Sequence, residues 1–337
     1  MWSTQVPSLA VDLGGTFLRC GTSTDAGDIT AIEVTKIPNF LDGSRSADIW
    51  ESIVTSIEAY ARRSDMLRPT DPVALAFPGP VIGGRTTISA PTITGDEPMP
   101  DLVAILESRM QRPVVVLNDL SAAAWYFSER VNDDRFMVVT VSSGIGAKAF
   151  VRTPSSRVFD DVPYAGEIGH CVVDLSPTAP VCDCGASGHL GAIASGRGAE
   201  RLARRSAETE RDLFAASDCV RRYGATSATL DNERHIVPAI RDGDEWAMSV
   251  MRRSMEPLAR VLSAVVYTLG LERIIVIGGF ALSVGDRYVE TLRGLMCLRS
   301  TGSPFSVGDD EFIVLGDAHP HAALVGAAAY ARRLLPA

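Results

Sequence analysis

Lysine is nearly missing from this chain: of its 32 basic residues only Lys36 and Lys148 are lysines and thirty are arginines, the bias of a high-GC coding sequence. Positive charge is also outnumbered, with 41 acidic residues and a net charge of −9. No block of like charge runs beyond a few residues, so the composition argues against a nucleic-acid partner. Long apolar runs are missing too, since those at 261–271 and 322–331 fall short of the roughly 18 residues of a membrane span. The opening Met1-Trp2-Ser3-Thr4-Gln5 lacks the basic and apolar regions of a signal peptide, and a soluble cytoplasmic protein with no membrane partner is expected. Cysteines are few: there are six, and Cys171, Cys182 and Cys184 fall within fourteen residues, a spacing that suits a metal site and not a disulfide framework. What remains is a chain of 337 residues, 46% of them hydrophobic. That is enough for two domains, since single cores rarely grow past roughly 250 residues.

Residues 9–11, 17–21 and 29–35 read as a three-stranded meander, 48–62 as an amphipathic helix, 73–77 and 114–117 as buried strands, and 102–110 as the helix between them. A second round follows, with strands at 137–141, 147–151 and 170–175, a long helical region over 198–270, a strand at 274–277 and a helix at 288–296. The repeated order predicts a duplicated α/β architecture. Without a low-complexity linker, the boundary is expected at 117–119 as a hinge: a small domain over 1–117, rejoined by a last helix over 320–337, and a large one over 118–319.

Each round opens on a strand that runs into a small-residue turn. In the first, Gly14 and Gly15 free the backbone and Thr16 adds a hydroxyl, which suits a phosphate, and Asp12 is placed to hold Mg²⁺ through water. A plain β-turn is the alternative. Ser143, Gly144 and Gly146 repeat the pattern, and Gly278-Gly279 forms a third glycine turn after a buried strand. Asn118-Asp119 ends the strand at 114–117, where a carboxylate can serve as general base or the pair can cap the next helix. His170, Cys182, Cys184 and His189 lie within twenty residues among glycines, which predicts a closed, structural Cys2His2 zinc knuckle over 170–189.

Gly166-Glu167-Ile168-Gly169-His170 followed by Cys182-x-Cys184-Gly185-x-x-Gly188 resembles the ROK family of sugar kinases and repressors, glucokinase-like members of the actin and hexokinase superfamily, over residues 10–331. The resemblance implies a duplicated actin-like (ribonuclease H-like) two-domain fold with a cleft between domains. It implies phosphate loops at Asp12, Gly14, Gly15 and Thr16 and at Ser143, Gly144 and Gly146, adenosine at Gly278 and Gly279, and Mg·ATP as donor. It further implies Asp119 as catalytic base, Asn118, Glu167 and His170 on the substrate hydroxyls, and Gly79 and Thr92 lining the same pocket. His170 then serves both zinc and substrate. Relatives are often dimers or higher homo-oligomers.

The sequence departs from the family pattern twice, with His189 where the third zinc cysteine stands and Gly191 where a glutamate usually binds hydroxyls at sugar carbons 1 and 2. A site that loses a hydroxyl-binding group changes its specificity strongly. The resemblance therefore widens the expected substrate from glucose to C7-cyclitols of the valiolone type or amino sugars such as kanosamine. Lys148 either touches a phosphate or substrate or is a solvated strand lysine. The expected activity is ATP-dependent phosphorylation of a primary hydroxyl, and the alternative is a non-catalytic, sugar-binding regulator or sensor.

Overall fold

The computed structural model describes residues 7–24, 26–153, 156–296 and 311–334. Residues 1–5, read above for a leader, and 335–337 of the expected last helix lie outside them. The chain forms two units.

In the first unit, short runs of β-formers separated by glycine and aspartate turns give the expected meander: β1 Ser8–Leu13, β2 Phe17–Ser23 and β3 Ile29–Lys36. Alternation along β1 sorts its two faces. Leu9, Val11 and Leu13 join the core against Ile49, Ile53 and Ile57 of the helix Ser46–Arg63, while Ala10 packs on Leu324 and Ala328 of the terminal helix Ala322–Leu334. β4 Val73–Phe77 is buried throughout, as a strand covered on both sides requires. A hairpin of β5 Val81–Ile82 and β6 Thr86–Thr87 and the helix Leu102–Met110 then lead to β7 Val114–Asn118. The sheet order is β3-β2-β1-β4-β7, with β4 parallel to β1 and β7 parallel to β4.

The first unit extends past the boundary expected at 117, to Asn132, and takes in Arg157–Ala165, with β10 Arg157–Val158, and the chain from His319. The reason is a close helix pair. A Cβ on Gly326 of the terminal helix would stand 1.8 Å from the Ala122 carbonyl of the helix Asp119–Ser128, so glycine there lets the two backbones touch.

In the second unit, β8 Arg135–Val141 pairs antiparallel with β9 Ile145–Val151, and β11 Arg273–Ile277 lies parallel to β8 with β12 Ile313–Leu315 beyond it. The run β9-β8-β11-β12 repeats β2-β1-β4-β7 in order and strand direction, which is the duplication. The short Phe312-Ile313-Val314-Leu315 run that makes β12 was not anticipated. The long helical region is broken into helices from Gly196–Thr209 to the 25-residue Glu245–Leu269, which buries Trp246, Val250, Leu258 and Leu262. The strand expected at 170–175 does not form. Val172 and Leu175 are exposed, and among the described residues the segment has one β-bridge, from Val172 to His189.

Candidate active site and metal knuckle

In the first unit the strand ends of β1, β4 and β7 carry the predicted residues. Gly14 donates its amide to the Phe17 carbonyl at 2.9 Å, closing the turn, and Thr16 is exposed at its tip. A Cβ on Gly15 would meet Thr92 at 3.2 Å, so this loop and the segment carrying Thr92 abut. Asp12 is mostly buried and accepts a 2.9 Å hydrogen bond from Arg19, its partner across β2. Burial raises its pKa above the ordinary carboxylate value, and the Arg19 charge pulls the other way. Arg19 was missed from sequence, although register opposite Asp12 follows from the tight turn between them.

Asn118 resolves one open alternative. Its Oδ1 accepts from the amides of Leu120 at 3.0 Å and Ser121 at 3.4 Å, so it caps the helix, and its Nδ2 donates to the Gly79 carbonyl at 3.0 Å. Asp119 is then the first helical residue, exposed, with Oδ1 accepting the Leu120 amide at 2.7 Å. Capping and the tie to Gly79 use the Asn118 Oδ1 and one of its two Nδ2 hydrogens, and the exposed Asp119 follows directly. A Cβ on Gly79 would stand 2.1 Å from the Ser89 carbonyl, so only glycine lets these loops meet.

In the second unit, Ser143, Gly144 and Gly146 follow β8, and the glycine turn after β11 seats on the same loop. Gly278 has φ +98°, and a Cβ there would meet the Val141 amide at 2.6 Å, while Gly279 faces the Ser142 hydroxyl. A cavity of about 820 Å³ opens beside them, lined among others by Ser143, Arg197, Asn232, Arg241, Gly279 and Phe280. Its far wall includes a π-turn, Asn232–Ile236, a distortion frequent at functional sites.

The Gly-Glu-Ile-Gly-His segment explains its own glycines. Gly166 has φ +81° and accepts the Ala147 amide at 2.8 Å, and a Cβ on Gly169 would stand 2.2 Å from the Ile145 carbonyl. The 3-10 turn Ile168–His170 thus lies directly on β9, with Glu167 and His170 exposed. Lys148 is no solvated strand lysine: it is buried in β9 opposite Val138.

The side chains of His170, Cys182, Cys184 and His189 converge, their ligand atoms all within 4.8 Å of one another. His189 Nδ1 lies 3.3 Å from His170 Nδ1 and 3.3 Å from Cys184 Sγ. Tetrahedral zinc with its usual bond lengths separates two nitrogens by about 3.3 Å and nitrogen from sulfur by about 3.5 Å. Lone pairs facing at these separations fit a cation. His170 directs Nδ1 to this set, leaving Nε2 for another partner. A cavity of about 160 Å³ adjoins the ligands, lined in part by Gly144, Gly169, His170, Gly191, Arg197 and Arg201.

The ROK family profile matches residues 8–333, and the chain belongs to the ROK family. It is 35% identical over 339 residues to the C(7)-cyclitol 7-kinase of Streptomyces hygroscopicus subsp. jinggangensis, covering 95% of each chain. It is 28% identical over 280 residues to an Escherichia coli N-acetylmannosamine kinase, covering 82% of this chain and 84% of the relative. A ROK family glucokinase from Streptomyces griseus, solved with glucose and AMPPNP, superimposes with a TM-score of 0.68 at 25% identity over 97% of this chain and 99% of that one. The duplicated actin-like fold is therefore that of ROK sugar kinases. Among the described residues no helix is long and apolar enough to cross a membrane.

Proposed function

We propose that this chain is an ATP-dependent kinase that phosphorylates a primary hydroxyl of a sugar-like polyol, with a C7-cyclitol as the leading substrate. The observation that carries the reading is the pair of glycine turns, one after the first strand of each repeated sheet, together with an exposed carboxylate at the capped end of β7.

Phosphoryl transfer asks mainly for positioning and charge compensation. Phosphates are assigned to the Asp12–Thr16 turn, with Asp12 as the group for Mg²⁺, and to Ser143, Gly144 and Gly146, and adenosine to the Gly278-Gly279 turn. The 820 Å³ cavity suits the remainder of the nucleotide. Asp119 accepts the proton of the attacking hydroxyl, and its place on a helix end fixed by Asn118 to Gly79 keeps the carboxylate stationary. Asn118, Glu167 and His170 hydrogen-bond the other hydroxyls, and Gly79 and Thr92 shape the pocket around them. Zinc, held by His170, Cys182, Cys184 and His189, would fix the His170 tautomer and ring direction.

Gly191 directs the substrate reading. With no side chain there, room adjoins His170 where a glutamate would bind hydroxyls of a hexose. The cyclitol kinase relative and the glucose-bound glucokinase bracket the choice. The test is ADP release with Mg·ATP across glucose, mannose, N-acetylmannosamine, kanosamine and valiolone-type cyclitols. A cyclitol turned over well above glucose is expected. Glucose preferred over all others refutes the substrate reading, no ADP release with any of them refutes the kinase, and undiminished release by Asp119→Asn refutes Asp119 as the base.

A further inference from the structure

Arg197 stands where the two halves of the second unit's chemistry meet, lining both the 820 Å³ cavity at the Ser143 loop and the 160 Å³ cavity at the metal ligands. Its Nε donates to the Ser143 carbonyl at 2.8 Å. Its terminal nitrogen lies 2.5 Å from Oδ2 of Asp183, the residue between the ligands Cys182 and Cys184. The backbone around Arg197 is held tightly on the loop as well. Gly196 donates its amide to the Ser142 carbonyl at 2.8 Å, and a Cβ at Gly196 would meet Phe280 and Ser142 at 3.0 Å. Ser195 caps the helix that starts here, its Oγ accepting the Gly198 amide at 3.2 Å.

We propose that Arg197, held by Asp183, is a positioning residue that couples metal binding at the knuckle to nucleotide binding at the Ser143 loop. The inference rests on the reading above, in which that loop takes the nucleotide and the four side chains take zinc.

The coupling follows from what each partner can hold still. Without metal the knuckle turn is closed by backbone bonds, among them the Gly185 amide on the Cys182 carbonyl, the Cys182 amide on the Ala186 carbonyl and the Gly188 amide on the Pro180 carbonyl, which leave the side chains between them to be held by other means. Metal bonds to Cys182 and Cys184 pin both neighbours of Asp183. A pinned Asp183 keeps the Arg197 guanidinium in one orientation, and the Nε donor then fixes the Ser143 carbonyl. A peptide held at its carbonyl has its following amide fixed with it, so the Gly144 N–H, the first donor of the loop, is aimed before a phosphate arrives. Without metal the backbone bonds still hold the turn, but the largely exposed Asp183 side chain is held less closely and the second anchor of Arg197 weakens. An exposed ion pair supplies a modest effect, about two- to fivefold in an equilibrium constant. Linkage requires the same factor in both directions.

The experiment measures the dissociation constant of AMPPNP by calorimetry on the full chain, zinc-loaded and chelator-stripped, for the wild type, Asp183→Asn and Arg197→Gln. The wild type is expected to bind AMPPNP about two- to fivefold more weakly when stripped, and both variants to bind it equally with and without zinc. Where stripping unfolds the chain, seen by circular dichroism, the reciprocal measurement replaces it: zinc affinity by competition with a chromophoric chelator, with and without saturating AMPPNP. There the wild type gains zinc affinity by the same factor, and the variants do not. An equal metal dependence in wild type and Asp183→Asn, or none in the wild type, overturns the coupling while leaving the kinase reading intact. Zinc-loaded wild type that binds no AMPPNP at millimolar concentration overturns both.

Discussion

Gly169→Ala tests how the turn that carries Glu167 and His170 is seated on β9. Gly169 does not have a positive φ, so alanine meets no backbone penalty there, and the whole effect comes from one contact. The added methyl would stand 2.2 Å from the Ile145 carbonyl, against the 3.0 Å below which such contacts are essentially never found. The 3-10 turn must therefore lift off β9 by about 0.8 Å, carrying Glu167 and His170 with it. Displacing reacting groups by about 1 Å costs on the order of 10²-fold in rate. That corresponds to about 2.7 kcal/mol of transition-state stabilisation. The assay is kcat/KM for the best substrate of the panel, alongside the AMPPNP dissociation constant. A fall of about 10²-fold in kcat/KM is expected, with AMPPNP affinity on the zinc-saturated protein weakened by no more than the roughly two- to fivefold that loss of metal would give. Retention of kcat/KM within threefold would refute the claim that this glycine seats the turn.

Asp119→Asn keeps the hydrogen bond to the Leu120 amide but loses the base, and kcat is expected to fall by about 10²- to 10⁴-fold with little change in substrate binding, as equilibrium binding would show. Asn118→Ala removes the helix cap and the tie to Gly79, which is expected to cost about 1 kcal/mol and lower the melting temperature, whereas Asn118→Asp restores the cap but not the donor. Burial raises the Asp12 pKa, so its carboxylate gains a proton at a higher pH than an ordinary aspartate as pH falls; Mg·ATP affinity is expected to weaken on that acid limb, and a titration of affinity against pH should show the limb vanish in Asp12→Asn. The same sign makes the folded state lose stability as pH rises from the unfolded to the folded pKa of Asp12. Burial pushes the thiols of Cys20 and Cys219 up to about 12, so among the described cysteines alkylation at pH 8 is expected only at Cys171, Cys182 and Cys184, and zinc should protect the last two. Peptide mapping with and without chelator measures this.

Much of the fold was legible because its signals are local. The glycine turns after β1 and β8, the alternation in β1 and the helical spacing of Ile49, Ile53 and Ile57 each survive in any tertiary context. The convergence of His170, Cys182, Cys184 and His189 was legible for the same reason, being four side chains with few alternative uses at that spacing. What escaped depends on partners distant in sequence. The strand expected at 170–175 has the composition of a strand, but no neighbour offers it a sheet edge. The terminal helix reaches Ala122 through a contact that only Gly326 allows, and this carries the first unit past 117. Lys148 is buried because the turn carrying Gly166 folds over it, which strand polarity alone does not reveal. Arg197 looked like one arginine among thirty, and only its two partners single it out.

The glycines at 166, 169 and 191 differ in how far evolution can move them. At 166 a side chain would strike the Ala147 carbonyl at 1.8 Å, and at 169 the Ile145 carbonyl at 2.2 Å, so both positions are closed to drift. Gly191 is different: a Cβ there meets only the Gly169 carbonyl, at 3.2 Å, a contact that a few tenths of an ångström relieves. Glycine and glutamate codons differ by one base or two. The position that sets the substrate in the reading above is thus a short mutational path from glutamate, beside a turn whose glycines have no such room. On that reading, substrate choice can change at 191 while the turn beside it stays fixed.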